Sequence, residues 1–183
     1  MSFAERLPKG PLPQEHIQAL YSDYLMEGFA KERFLFKEVL MDGFRASALV
    51  TMTSTAASST DPAGFHLSTL MAISMIGQLV ITHSHILCGF KRKEIEVWMR
   101  DYSIIHRRPI RDPKNIRVEI RLEDLRKLHS STMACLAYSI SMGDRAVTAK
   151  CRAFLDFSKK QPSDAFLKAL DTPSKKASQQ PRP

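Results

Sequence analysis

HLSTLMAISMIGQLVITHSHIL, residues 66–87, runs for twenty-two positions without a single Asp, Glu, Lys or Arg. A helix lying on a protein surface keeps a solvated charged face, so a stretch apolar around most of its circumference predicts a helix inside a fold. At about 1.5 Å per residue such a helix is about 30 Å long, enough to cross a whole domain. The same length raises the question of a membrane span. Ser68, Thr69, Ser74, Gln78, Thr82, His83, Ser84 and His85 are mixed along it, which suits a buried helix better than lipid, and no stable membrane insertion is expected.

Around this helix the hydrophobic period changes from helical to alternating. Upstream, DGFRASALVTMTSTA (42–56) opens on an Asp-Gly turn signal and alternates Phe44, Ala46, Ala48, Val50 and Met52 with more polar neighbours, the signature of a strand with one buried face. SSTDPAG (58–64) is a loop by composition. Downstream, EIEVWMRDYSII (94–105) is a strand candidate, followed by a connection, RRPIRDPK (107–114), held by Pro109 and Pro113. In NIRVEIRLEDLRKL (115–128) Ile116, Val118, Ile120 and Leu122 face one way and Arg117, Glu119, Arg121 and Glu123 the other. Residues 131–157 read as a hairpin turning at Met142-Gly143-Asp144-Arg145.

Nearer the N-terminus, Ile17, Leu20, Tyr21, Tyr24, Leu25 and Phe29 recur at helical spacing, predicting a helix from Gln14 to about Phe36. Gly28 is placed to end it, which leaves FAKERFLF (29–36) as a further turn or a bend. Residues 1–13, with Pro8, Gly10, Pro11 and Pro13, read as an extended arm. Residues 159–183 read as a basic, solvated tail with at most a short helix at SDAFLKAL (163–170). The expected organisation is a single α+β domain over 14–158, with an antiparallel sheet curled around one long central helix and a helix preceding it. One helix hides only part of such a sheet, so a homodimer is expected.

The chain has 183 residues, 44% hydrophobic and 25% charged, with a formal charge of +8. This composition excludes bulk disorder and favours a partner carrying negative charge. Three widely spaced cysteines, Cys88, Cys135 and Cys151, form no CxxC pair and no disulfide framework, so a reducing, cytoplasmic setting is expected. The N-terminal fifteen residues lack the apolar run of a signal peptide.

No glycine-rich nucleotide loop, HExxH or GxSxG is present. His83 and His85 are two apart, so on a helix they diverge and do not share a metal; they are expected to cap the helix end or meet solvent. His66 stands where the loop meets the helix, beside the unpaired N–H groups of the first turn. Those amides suit a carbonyl oxygen acquiring negative charge, with His66 or Ser68 orienting a water or moving a proton. The bland alternative is that both residues only cap the helix. Gln78 either holds a water over such a carbonyl or bonds to a neighbouring strand. Ser74 and Gly77 either leave room for an acyl chain or let helix and sheet pack closely. Arg107, Arg108, Arg111, Lys114 and Arg117 against Asp112 give +4 in eleven residues. That run is either solvated surface or a dock for phosphates or an acidic protein face. It lacks the interleaved aromatics of a nucleic-acid platform.

The run GFHLSTLMAISMIGQL (64–79), followed after a loop by VWMRDYSIIHRRPIRDPKNIRVEIRLEDLRK (97–127), resembles the hotdog fold, and more narrowly the FcoT-like, type III fatty acyl-CoA thioesterase family. The resemblance covers roughly residues 42–157. His66 matches the histidine of the helix-entry motif, Gln78 and Leu79 match a glutamine-leucine pair, and Arg107, Pro109, Pro113 and Lys114 fit the R-x-P-x-x-x-P-K connection. It implies a hotdog dimer, sometimes assembled further, that binds an acyl thioester between subunits and needs no cofactor beyond the coenzyme A or phosphopantetheine of its substrate. Two asparagines of the family pattern are Ser68 and Gly77 here, and the helix carries no Asp or Glu to serve as the general base.

The expected activity is hydrolysis of an acyl-CoA or acyl-carrier-protein thioester, with His66, Ser68 and Gln78 as catalytic residues. Gly64, Phe65, Ser74, Gly77, Arg107, Arg108 and Arg111 are expected to bind substrate or carrier. A hotdog dehydratase or hydratase, and a non-catalytic acyl or carrier-protein binding module, are the competing readings.

Overall fold

The computed structural model describes residues 31–55, 64–128 and 132–171, together with Glu15. The N-terminal arm and nearly all of the helix expected from Gln14 lie outside the described residues.

Six strands form one antiparallel sheet: β1 (Arg33–Asp42), β2 (Arg45–Ser54), β3 (Glu96–His106), β4 (Ile116–Lys127), β5 (Met133–Met142) and β6 (Val147–Asp156). Their order is β1-β2-β4-β5-β6-β3. The uncharged stretch forms helix α1 (Thr69–Leu87), between β2 and β3 in the chain, and α2 (Asp164–Asp171) follows the last strand. Helix α1 packs against β2, β4 and β3. With strands about 4.8 Å apart, a flat sheet would hold β3 about 14 Å from β4. One helix touching both therefore has the sheet wrapped around it, the α+β hotdog architecture.

The alternating strands bury the faces their sequences indicate. Ala46, Ala48, Val50 and Met52 on β2 and Ile116, Val118, Ile120 and Leu122 on β4 meet Met71, Ala72, Met75, Ile76, Leu79 and Val80 of the helix in one core. Length and apolarity alone would let α1 cross a membrane, but its place is against this sheet. The short helix expected near the C-terminus is present as α2, but it is not part of a solvated tail: buried Phe166 and Leu170 join the core, so the domain runs past its expected end at residue 158.

Three further expectations are corrected. Residues 33–36 belong to β1, not to a helix tail or bend. The alternation of β1 is hidden because its register with β2 shifts between Phe36 and Glu38, a bulge that moves later residues to the opposite face. Phe44 is 58% exposed; it lies in the β1–β2 turn, and its carbonyl accepts the Leu122 N–H at 2.8 Å. His83 and His85 neither cap the helix nor meet solvent; both are buried.

His83 joins three elements. Its Nε2 lies 3.0 Å from the Gly43 carbonyl, which can only accept, so Nε2 carries the proton. Its Nδ1 then accepts from the Tyr138 hydroxyl at 3.1 Å, and the Ser84 hydroxyl, 3.2 Å from the Tyr138 oxygen, donates to it. Burial pushes the His83 pKa below its ordinary value, opposed by the Gly43 bond. His85 Nδ1 donates to the Ile81 carbonyl at 2.8 Å, within its own helix.

Candidate active site at the start of the central helix

Helix α1 begins where Ser68 takes an extended conformation and caps it, its Oγ accepting the Met71 N–H at 3.2 Å. The Ser68 hydroxyl in turn donates to Glu32 Oε2 at 3.0 Å. Glu32, immediately before β1, is only 4% exposed, so a buried carboxylate sits behind the helix N-terminus, where the helix dipole favours negative charge. The sequence shows no acid on α1; the fold brings one to its first turn from thirty-six residues upstream.

The connection after β3 is fastened on both sides of this entry. The Leu67 N–H donates to the Ile110 carbonyl at 2.9 Å and the Arg107 N–H to the Ala146 carbonyl at 2.8 Å. Ile110 lies over the β5–β6 turn so closely that a Cβ on Gly143, itself at φ +56°, would stand 2.7 Å from Ile110 Cδ1. Asp144 and Arg145 are also left-handed, at φ 51° and 62°, a costly conformation for side-chain-bearing residues. Arg108 Nη2 steadies this turn, donating to the Gly143 and Asp144 carbonyls at 3.2 Å each.

A cavity of about 330 Å³ opens at the helix start, lined by His66, Thr69, His106, Arg107, Arg108 and Pro109, with Leu67 and Ser68. The Thr69 hydroxyl and His106 Nε2 are 3.1 Å apart. Ser68 Oγ takes the Met71 N–H and the Ser68 carbonyl takes that of Ala72. The Thr69 and Leu70 N–H groups have no acceptor within the helix. Two imidazoles, the first residue of the helix and two arginines thus border one concavity. Such a set can hold an oxyanion and move a proton beside it.

Of the expected site residues, the fold brings His66, Ser68, Arg107 and Arg108 together, with Gly64 and Phe65 leading in; Phe65 packs against the core. Ser68 is the helix cap, and one of Arg108's nitrogens holds the β5–β6 turn. Arg111 is exposed and does not border the cavity. Ser74, Gly77 and Gln78 lie further along α1. The Ser74 hydroxyl donates to the Leu70 carbonyl at 2.9 Å, and Gln78, expected to be a buried amide, is exposed. Glu32, Thr69 and His106 were not expected. Only His106 carried a sequence signal, as the neighbour of the basic connection; nothing local marks Glu32.

The Glu32–Ser68 contact makes a measurable claim. Ser68→Ala removes the cap, worth about 1 kcal/mol, and strips the buried carboxylate of its donor, about 1–3 kcal/mol more. Urea unfolding of Ser68→Ala, Glu32→Ala and the double variant is expected to give strongly non-additive losses; strict additivity would show that the two side chains are not coupled.

Burial raises the thiols of Cys88 and Cys151 to about 12, which disqualifies both as nucleophiles at neutral pH. Among the described residues no group of three His, Cys, Asp or Glu is arranged to hold a metal ion.

No family model matches the sequence, and no curated protein matches it. Solved structures do resemble the fold, several of them described as thioesterases. A mutant thioesterase from Staphylococcus aureus is 9% identical over 67% of this chain and 93% of its own, with a TM-score of 0.49. A mutant thioesterase from Pseudomonas aeruginosa is 13% identical over 81% of this chain and 96% of its own, at 0.47. A hypothetical thioesterase from Streptococcus pneumoniae, solved with coenzyme A, is 9% identical over 77% of this chain and 98% of its own, at 0.45. At such identities they give no residue of this chain a role, and the narrower FcoT-like likeness stays a resemblance carried by the motifs quoted above.

Proposed function

We propose that this protein hydrolyses an acyl thioester carried by coenzyme A or an acyl carrier protein. The observation that supports this most is the cavity at the N-terminus of α1, where Thr69, the first residue of the helix, lies beside His66 and His106. A thioester carbonyl seated there directs its oxygen at the N–H end of the helix, whose first-turn amides stabilise the charge that develops as water adds. An imidazole takes the proton of the attacking water and returns it to the departing thiolate. His66 is assigned this base, with the Thr69–His106 pair beside it; Ser68 and Glu32 fix the helix start that supplies the amides. Arg107, exposed at the cavity lip, faces the carrier's phosphates.

The protein acts as a homodimer in this reading, since β3 is a sheet edge with Trp98 41% and Ile105 54% exposed along it. An open, apolar edge favours pairing with another strand. Sedimentation at micromolar concentration is expected to show the dimer.

The test is a panel of short to long acyl-CoA and acyl-carrier-protein substrates assayed for free thiol and for hydration of a conjugated alkene. Thiol release above an enzyme-free control is expected. Hydration without thiol release would make the protein a hydratase, and saturable binding with neither would leave a binding module. Arg107→Ala is expected to weaken carrier binding about threefold to tenfold at low salt and to flatten its salt dependence, with folding unchanged.

A further inference from the structure

About 12 Å along α1 from Thr69, two departures from stable packing meet. Gly77 stands in the interior of the helix, where glycine is the least favourable residue short of proline. Close packing does not explain it. A Cβ built there would meet nothing nearer than the Tyr102 hydroxyl, at 4.0 Å. That hydroxyl, reaching the helix from β3, is buried and has no hydrogen-bond partner among the described residues. Burial also raises its pKa, so it stays a protonated donor. A polar atom that has lost water and found no partner weakens the fold. Each feature alone is tolerable; side by side they set a helix residue without a side chain opposite a covered hydroxyl that has neither water nor a partner. Residues that break packing rules without compensation mark places where a protein gives up stability for function.

We infer that this place is a second binding point of the thioester site: a hydrogen-bond-accepting oxygen of the ligand lies over Gly77 and takes the Tyr102 O–H. The inference rests on the thioester reading, with the reacting carbonyl at the helix start. Leu70, Ser74 and Gln78 are exposed along α1, with Gly77 half-buried among them, and the remainder of the ligand extends along this stripe. The oxygen is either a substituent on the acyl chain or an amide carbonyl of the pantetheine arm, and a plain alkyl chain cannot supply it. Tyr102 is then a specificity-determining residue.

The experiment sets binding against stability in wild type, Tyr102→Phe and Gly77→Ala, by calorimetric titration with coenzyme A, dodecanoyl-CoA and ω-hydroxydodecanoyl-CoA, and by thermal melts. Both variants are expected to melt about 2–4 °C higher than wild type, since one loses an orphaned hydroxyl and the other a helical glycine. Both are expected to bind about tenfold more weakly. Loss with all three ligands identifies the amide carbonyl; loss confined to the hydroxylated chain identifies the substituent. Unchanged binding of every ligand by both variants, or a lower melting temperature for Tyr102→Phe, would overturn the inference and leave the thioester reading standing. Failure of the wild type to bind any of the three would overturn both.

Discussion

His66→Ala is expected to lower kcat/KM for the hydrolysed thioester by about 10²-fold or more, the usual size of a general-base contribution, while acyl-ligand affinity changes little. The reason is where the interaction acts. A base that takes a proton only as water attacks contributes to the transition state and not to the bound substrate, so the loss falls on kcat. The geometry gives the experiment a built-in comparison. His106 borders the same cavity, 3.1 Å from the Thr69 hydroxyl, and because it is the neighbour of the assigned base, His106→Ala is expected to cost less. Reversal of that order would make His106 the base and His66 its neighbour. Equal activity of wild type and both variants, at equal folded fraction, would remove the helix-start cavity from the chemistry altogether. Thermal melts of each variant are needed alongside the kinetics, because a change that only loosens the helix entry lowers turnover no further than it lowers the folded fraction.

Tyr138→Ala is expected to destabilise the fold by about 3–5 kcal/mol, near the upper end for a single core residue. Tyr138 is 2% exposed, between α1 and the middle of the sheet, and its hydroxyl serves both His83 and Ser84. Tyr138→Phe separates the two parts of that loss: the ring stays, and the cost of leaving His83 Nδ1 and Ser84 Oγ unpaired is expected to be about 1–3 kcal/mol. The network also sets an acid dependence. The folded-state pKa of His83 lies below its ordinary value near 6.5, so the unfolded chain takes up the proton first as pH falls. Its contribution is complete above about pH 6.5 and is lost between there and the lower folded value. Urea unfolding at about pH 7.5 and about pH 5 is expected to show this loss in wild type and a smaller one in His83→Gln. The same slope in both proteins would mean that another group is responsible.

These residues also show how far local sequence reaches. Residues 66–87 identify a buried central helix because charge is absent over a length no surface helix sustains, and a two-residue alternation identifies β2, β4, β5 and β6 because a strand with one buried face leaves no other pattern. That His66 stands at a helix start and that Arg107 opens a basic run are legible too, since both are local facts. β1 was not legible, because its bulge breaks the alternation that reveals a strand. Glu32, Thr69 and His106 gained their places only through pairing across the chain: Glu32 reaches Ser68 once the β1–β2 hairpin is laid beside β4, and His106 reaches Thr69 once β3 has crossed to the far edge of the sheet. The burial of His83 and the lone hydroxyl of Tyr102 are likewise invisible to periodicity. Sequence by itself determined which segments must hide apolar surface, because that demand is written residue by residue. Tertiary structure decided which polar groups meet, because hydrogen bonds and charge pairing depend on distances of about 3 Å between residues that the chain keeps tens of positions apart.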